Sequence, residues 1–237
     1  MKTLEPNYQT VRKATGALLA VGSTIFLVAA CVPFNYAGSA MIYALPYRAW
    51  PAVIGANSTL WAWTGALLVA GSLLATFGAY LLSDNLRWRG EHLYSRIGSL
   101  AISFGALLLV LEAAFRVSAA TWAQDAVTNP TSLDLFVRIS EWLKVTFVTY
   151  SVLTLAAFAA YGVSILRTNL ISRWAGRISI GYALLGLVYL AIAADIPPFT
   201  HYMIFLLFGV LMLLPVRISL APSPTRNALV STTDSKA

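Results

Sequence analysis

Long apolar runs alternate with short polar stretches along this chain, and six of the runs approach the length of a membrane crossing. A helix needs about 20 apolar residues to cross about 30 Å of hydrocarbon. The runs are Ala14–Pro33, Thr59–Leu82, Ile97–Ser118, Val145–Leu166, Ile178–Asp195 and Thr200–Val216. The last two are short and suffice only if little tilted. The predicted fold class is all-α: a polytopic integral membrane protein, built as a six-transmembrane-helix bundle over residues 1–216. Residues 217–237 are rich in Ser, Thr and Pro, a composition that predicts a disordered tail.

Basic residues set the expected orientation. Lys2, Arg12, Lys13, Arg87, Arg89, Arg96, Arg167, Arg173, Arg177, Arg217, Arg226 and Lys236 fall on one side of the predicted bundle, twelve of the sixteen Lys and Arg. Arg48, Arg116, Arg138 and Lys144 fall on the other. The positive-inside rule then predicts both termini in the cytoplasm of a cell membrane, plasma or bacterial inner. The seven tryptophans all lie near predicted span ends or in loops, as expected of an amphipathic indole at headgroup level.

The first outer loop, about residues 34–58, carries Tyr36, Tyr43, Tyr47 and Trp50 with Pro46 and Pro51. It reads either as a connector lying back on the membrane surface or as a lid over an outer vestibule. Asn129-Pro130-Thr131 marks a turn, and Thr131 followed by Asp134 predicts a fourth helix starting near Ser132 and running along the outer interface before entering the bilayer. Thr15–Ser23 (TGALLAVGS) and Thr64–Ser72 (TGALLVAGS) repeat in spans of opposite direction. The match fits an inverted repeat, although transporter repeats are whole helix sets, or a chance product of Ala/Leu/Gly-rich spans. Val28-Ala29-Ala30-Cys31 follows a basic arm and an apolar stretch. That layout suits lipidation of Cys31 after cleavage, or an uncleaved first helix ending in a buried, inert thiol. The second reading keeps the six-span count.

Composition narrows the chemistry. Of 237 residues 59% are hydrophobic and 11% charged, and mean hydropathy is +0.74, against about 25% charged in soluble domains. The net charge of +7 is spread over short loops, which points to the bilayer and its anionic inner-leaflet lipids rather than to nucleic acid. A membrane-protein partner or a homo-oligomer is also compatible. No cofactor is expected: His92 and His201 lie on opposite sides of the predicted bilayer and cannot ligate one haem iron or zinc, and neither a Walker A run nor GxGxxG occurs.

Ionisable residues inside a membrane are costly and mark functional hypotheses. Here they gather toward the outer side. Glu112 and Arg116 share a face of the third span, about 24 Å of helix rise beyond Arg96. Arg138, Glu141 and Lys144 recur at three-residue spacing before the fourth span, Asp195 ends the fifth and His201 opens the sixth. Gly98, Gly105, Glu112 and Ala119 recur every seven residues, so Glu112 should face the bundle along a stripe of small residues. The glycines of the second and fifth spans, Gly181 among them, read as packing notches, and Tyr182 and Tyr189 as core residues. No catalytic set is supported. The outer polar cluster reads as the site of a non-enzymatic accessory subunit or ligand-binding module, of a small-solute or proton-coupled transporter centred on Glu112, or of a lipid-acting enzyme using Glu112, Asp195 and His201. It reads equally well as a charge network that pins helices together.

Overall fold

A computed structural model describes residues 5–35, 42–193 and 195–215. Tyr36 and the tail predicted over 217–237 lie outside the described residues. The described chain is helical, without a strand. Helices α1 (Glu5–Cys31), α3 (Ser58–Trp88), α4 (Leu93–Thr128), α5 (Pro130–Thr168) and α6 (Arg173–Ala193) are long and apolar enough to cross a membrane. The sixth candidate, α7 (Phe199–Leu213), is apolar but only 15 residues long, a rise of about 22 Å. A seven-residue helix, α2 (Trp50–Ala56), lies in the first loop. Large apolar side chains such as Leu185 and Ile192 point outward, 73% and 81% exposed, as a lipid-facing surface requires. The protein is a helical bundle of multi-pass membrane character.

The helices pack in the order α6, α5, α4, α3, α1, α7, each antiparallel to its neighbour, and α6 and α7 meet through the side chain of Tyr182, which contacts Thr200 and His201. Closest approach falls at small residues, as expected where helices gain no hydrophobic drive to associate. At the α1–α3 crossing, a Cβ on Gly22 would stand 2.8 Å from Gly71 O, and a Cβ on Gly71 would stand 2.8 Å from Gly22 O. These two glycines are equivalent positions of the nine-residue repeat, so its two copies pack directly on each other. Their other neighbours differ, since Gly16 abuts Gly209 and Leu213 of α7 while Gly65 abuts Val117 and Ala113 of α4. Buried Asn85 also spans the α1–α3 seam, donating to Thr15 Oγ1 at 2.9 Å.

Arg12 of α1 is buried and donates to Leu211 O and Leu214 O, at 3.1 and 3.0 Å. It satisfies carbonyls that the end of α7 leaves open. This contact puts the start of α1 and the end of α7 at one end of the bundle, here the terminal end. The opposite end carries the first loop.

Several expectations need correction. The fourth helix begins at Pro130, not near Ser132, because the Asn129 side chain, rather than Thr131, accepts from Thr131 N and Ser132 N. Pro at the first helical position costs no hydrogen bond there. That helix is continuous from Pro130 to Thr168. With 36 residues in α4 and 39 in α5, rises of about 54 and 58 Å exceed the hydrocarbon thickness. The pair is therefore longer than a crossing requires, and its hairpin lies at the first-loop end. The first loop packs on this hairpin: Ile42, Ile54 and Trp61 join Ala119, Ala123, Ala126 and Phe136 in a second apolar core. Arg48 pairs with Asp134 of α5 at 2.8 Å. Asp195 lies past the end of α6, in the connector. Cys31 is exposed rather than buried, Tyr189 is 53% exposed, and a side chain on Gly181 would meet nothing within 4 Å.

Candidate functional site

At the first-loop end α1, α3, α4, α5 and the α6–α7 connector enclose a cavity of about 460 Å³, roofed by the first loop. Its floor is apolar, formed by Phe26, Leu68, Leu109 and Phe147. Its roof is aromatic, with Tyr43 and Tyr47 each in edge-to-face contact with Trp50. Trp50 is fixed by donating Nε1 to Leu45 O at 3.1 Å. Trp61, from the first turn of α3, packs edge-on against Trp50 at 6.2 Å and is only 2% exposed. The loop thus packs over the cavity and is held from below by side chains of α3 and α4.

Four of the seven candidate residues line this one cavity: Glu112, Arg116, Lys144 and Asp195. Gly98, Gly105, Glu112 and Ala119 are all buried on α4, the face turned to the bundle. Arg116 donates from Nε and NH2 to Glu112 Oε1 at 2.9 and 2.5 Å, and from NH1 to Tyr43 OH at 3.0 Å. Its guanidinium lies between the rings of Tyr43 and Trp61, 5.3 and 5.7 Å from their centroids. Arg116 is therefore a resident cation, with a carboxylate partner and two aromatic faces. Lys144 and Asp195 differ. They reach the cavity from α5 and from the connector and form no ion pair among the described residues. Burial pushes the Tyr47 hydroxyl above the usual phenol range, and the Asp195 carboxylate adds to the shift.

The other three candidates lie apart. Arg138 and Glu141 are exposed on α5 and do not line the cavity. His201 is fully buried behind the connector and also outside the lining. Its partners define its tautomer. Thr200 Oγ1 donates to Pro197 O at 2.7 Å, so the 2.7 Å contact between Tyr182 OH and Thr200 Oγ1 uses the tyrosine proton. The 2.6 Å contact between Tyr182 OH and His201 Nδ1 must then use a proton on Nδ1. Nε2 is left as a bare acceptor and finds no partner among the described residues. Glu112, Asp195 and His201 are therefore not gathered around one space.

Sequence reasoning missed two elements. Trp61 reads as an interface marker, yet it braces Arg116. Glu91, in the α3–α4 turn at the terminal end, is buried and accepts from Tyr94 N, Ser95 N and Ser164 Oγ at 2.9, 2.8 and 2.7 Å. Burial raises its pKa, these hydrogen bonds lower it, and the net position is below the ordinary carboxylate value of 4.5. Its only sequence signal is an acid alone among Arg89, His92 and Arg96. Among the described residues no group of three or more His, Cys, Asp and Glu is placed to hold a metal ion. Comparison with protein-family models, curated proteins and solved structures finds no match.

Proposed function

We propose that this protein is a non-enzymatic membrane protein that binds a small amphipathic ligand in the cavity at its first-loop end. The supporting observation is the convergence of Glu112, Arg116, Lys144 and Asp195, remote in sequence, on one apolar-floored, aromatic-roofed space. A volume of about 460 Å³ lies in the range of small-molecule sites, which are mostly apolar with a few placed polar groups. Glu112 and Arg116 neutralise each other, so the recognising charges are Lys144 and Asp195, one of each sign. A ligand with an apolar body and a zwitterionic or strongly dipolar head fits that arrangement. The bias of Lys and Arg toward the terminal end supports an orientation with both termini in the cytoplasm and the cavity facing outward, in a plasma or bacterial inner membrane.

The test is small-molecule extraction and mass spectrometry of the purified protein, comparing wild type with Lys144→Met and Asp195→Asn. An amphipathic compound retained by wild type and lost from both variants, with unchanged gel-filtration profiles, supports the reading. A wild type that retains nothing above an unrelated membrane protein overturns it.

A transport reading is favoured by one observation. Within the bundle the hydroxyls of Tyr150, Thr154 and Ser72 are buried and find no hydrogen-bond partner among the described residues. If this polar layer serves passage, Glu112→Gln should abolish uptake or proton flux in vesicles without altering folding.

A further inference from the structure

A second pocket, of about 310 Å³, lies at the terminal end between the α3–α4 and α5–α6 turns, lined by Arg89, Gly90, Glu91, His92, Leu93, Arg167 and Thr168. Its two arginines come from different turns and are held in place by aromatic rings. Arg167 stacks on Tyr94, 4.5 Å from the centroid. Arg89 lies over Tyr8 at 5.4 Å and spends Nε and NH2 on Tyr8 OH, at 3.4 and 3.2 Å. Neither guanidinium forms an ion pair among the described residues. The one carboxylate in the lining is already engaged, because both oxygens of Glu91 turn to Tyr94 N, Ser95 N and Ser164 Oγ. The exposed ring of His92 adds donor capacity. Two guanidiniums without an ion-pair partner among the described residues outnumber the one carboxylate in this lining and suit the tetrahedral oxygens of a phosphate group.

The depth of the pocket indicates where that phosphate comes from. Trp88 directly precedes Arg89 and is 58% exposed, and Trp174 at the start of α6 is 44% exposed. Exposed indoles at helix ends mark the headgroup layer. We propose that this pocket binds the phosphate of an anionic phospholipid headgroup, clamped between Arg89 and Arg167. The same chemistry would take a soluble phosphate monoester, and the experiment separates the two sources.

The full-length protein is reconstituted in nanodiscs of phosphatidylcholine, with or without phosphatidylglycerol, and bound lipid is read by native mass spectrometry after release. Expected is one phosphatidylglycerol retained per protein in preference to phosphatidylcholine. Retention should fall about tenfold in R89Q and in R167Q, the scale of one charge-assisted hydrogen bond. R173Q, an arginine outside the lining, should leave it unchanged. Inorganic phosphate and glycerol 3-phosphate are titrated in phosphatidylcholine discs. Binding of these without lipid preference upholds the phosphate clamp and assigns it a soluble ligand. Equal retention of both lipids with no phosphate binding overturns the proposal, as does equal loss in R173Q. Because the wild-type comparison stands alone, a variant that fails to fold does not leave the question open.

Discussion

Glu112 and Arg116 sit four residues apart on one helix, yet the pair matters because the rest of the site closes over it. Removing one partner of a buried pair leaves an uncompensated charge, at a cost of about 3–5 kcal/mol when burial is complete. Here some side-chain exposure remains, 10% for Glu112 and 19% for Arg116, so the lower end applies. Glu112→Gln and Arg116→Met should each lower the thermal midpoint in detergent, and the double variant should recover most of the loss. Additive losses would show that the two act separately. Glu91 supports a pH prediction. Its folded-state pKa is depressed, so its stabilising contribution is present above the ordinary carboxylate range and lost as pH falls through that range and below. Wild type should lose thermal stability on acidification below about pH 4.5 more steeply than Glu91→Gln, which starts lower at neutral pH. Parallel pH profiles would contradict this.

Helix identity was legible from hydropathy, but helix length was not. Apolar runs end near Ser118 and resume near Val145, because Thr121, Gln124, Asp125, Arg138 and Glu141 dilute the intervening segment. The helices nevertheless continue, since Ala119, Ala123 and Ala126 share a face of α4 and bury against Phe136 and the first loop. That spacing was visible in the sequence, but its partner was not, as it lies in an aromatic loop whose fold depends on α4 being there. The inward direction of Glu112 could be read from the small residues above and below it. The contribution of Asp195 could not, because the course of the connector is set by how α7 packs on α1. Glycines separate in the same way. A methyl on Gly22 would stand 2.5 Å from Ala75 N, so Gly22→Ala must push α1 from α3, a loss of about 1–3 kcal/mol. Gly181→Ala meets open space and should raise stability by up to about 1 kcal/mol through helix propensity. Thermal unfolding of the two variants side by side checks both signs.

At the scale of the molecule, the bundle has two chemically different ends. The first-loop end holds a mostly apolar cavity with balanced charge, and the terminal end holds a surplus of arginine. With the orientation proposed above, single cysteines introduced in a Cys31→Ser background should report opposite accessibilities in intact cells. Asp134→Cys, on the α4–α5 hairpin, should react with an impermeant maleimide from outside. Ser172→Cys, in the α5–α6 turn, should react only after the membrane is opened. The reverse pattern would invert the bundle and place the cavity inside.

The seam between α1 and α7 has a consequence for biogenesis. Gly16 and the buried Arg12 on α1 meet Gly209, Leu211 and Leu214 at the other limb of the chain. Until α7 is in place, α1 carries a guanidinium and a notched face without the partners they have in the bundle. Only once α7 has emerged from the ribosome can that guanidinium cap its carbonyls. A chain truncated before residue 199 should therefore expose the Arg12 guanidinium and the Gly16 notch, and should be recovered from membranes at a lower level than the chain that carries α7.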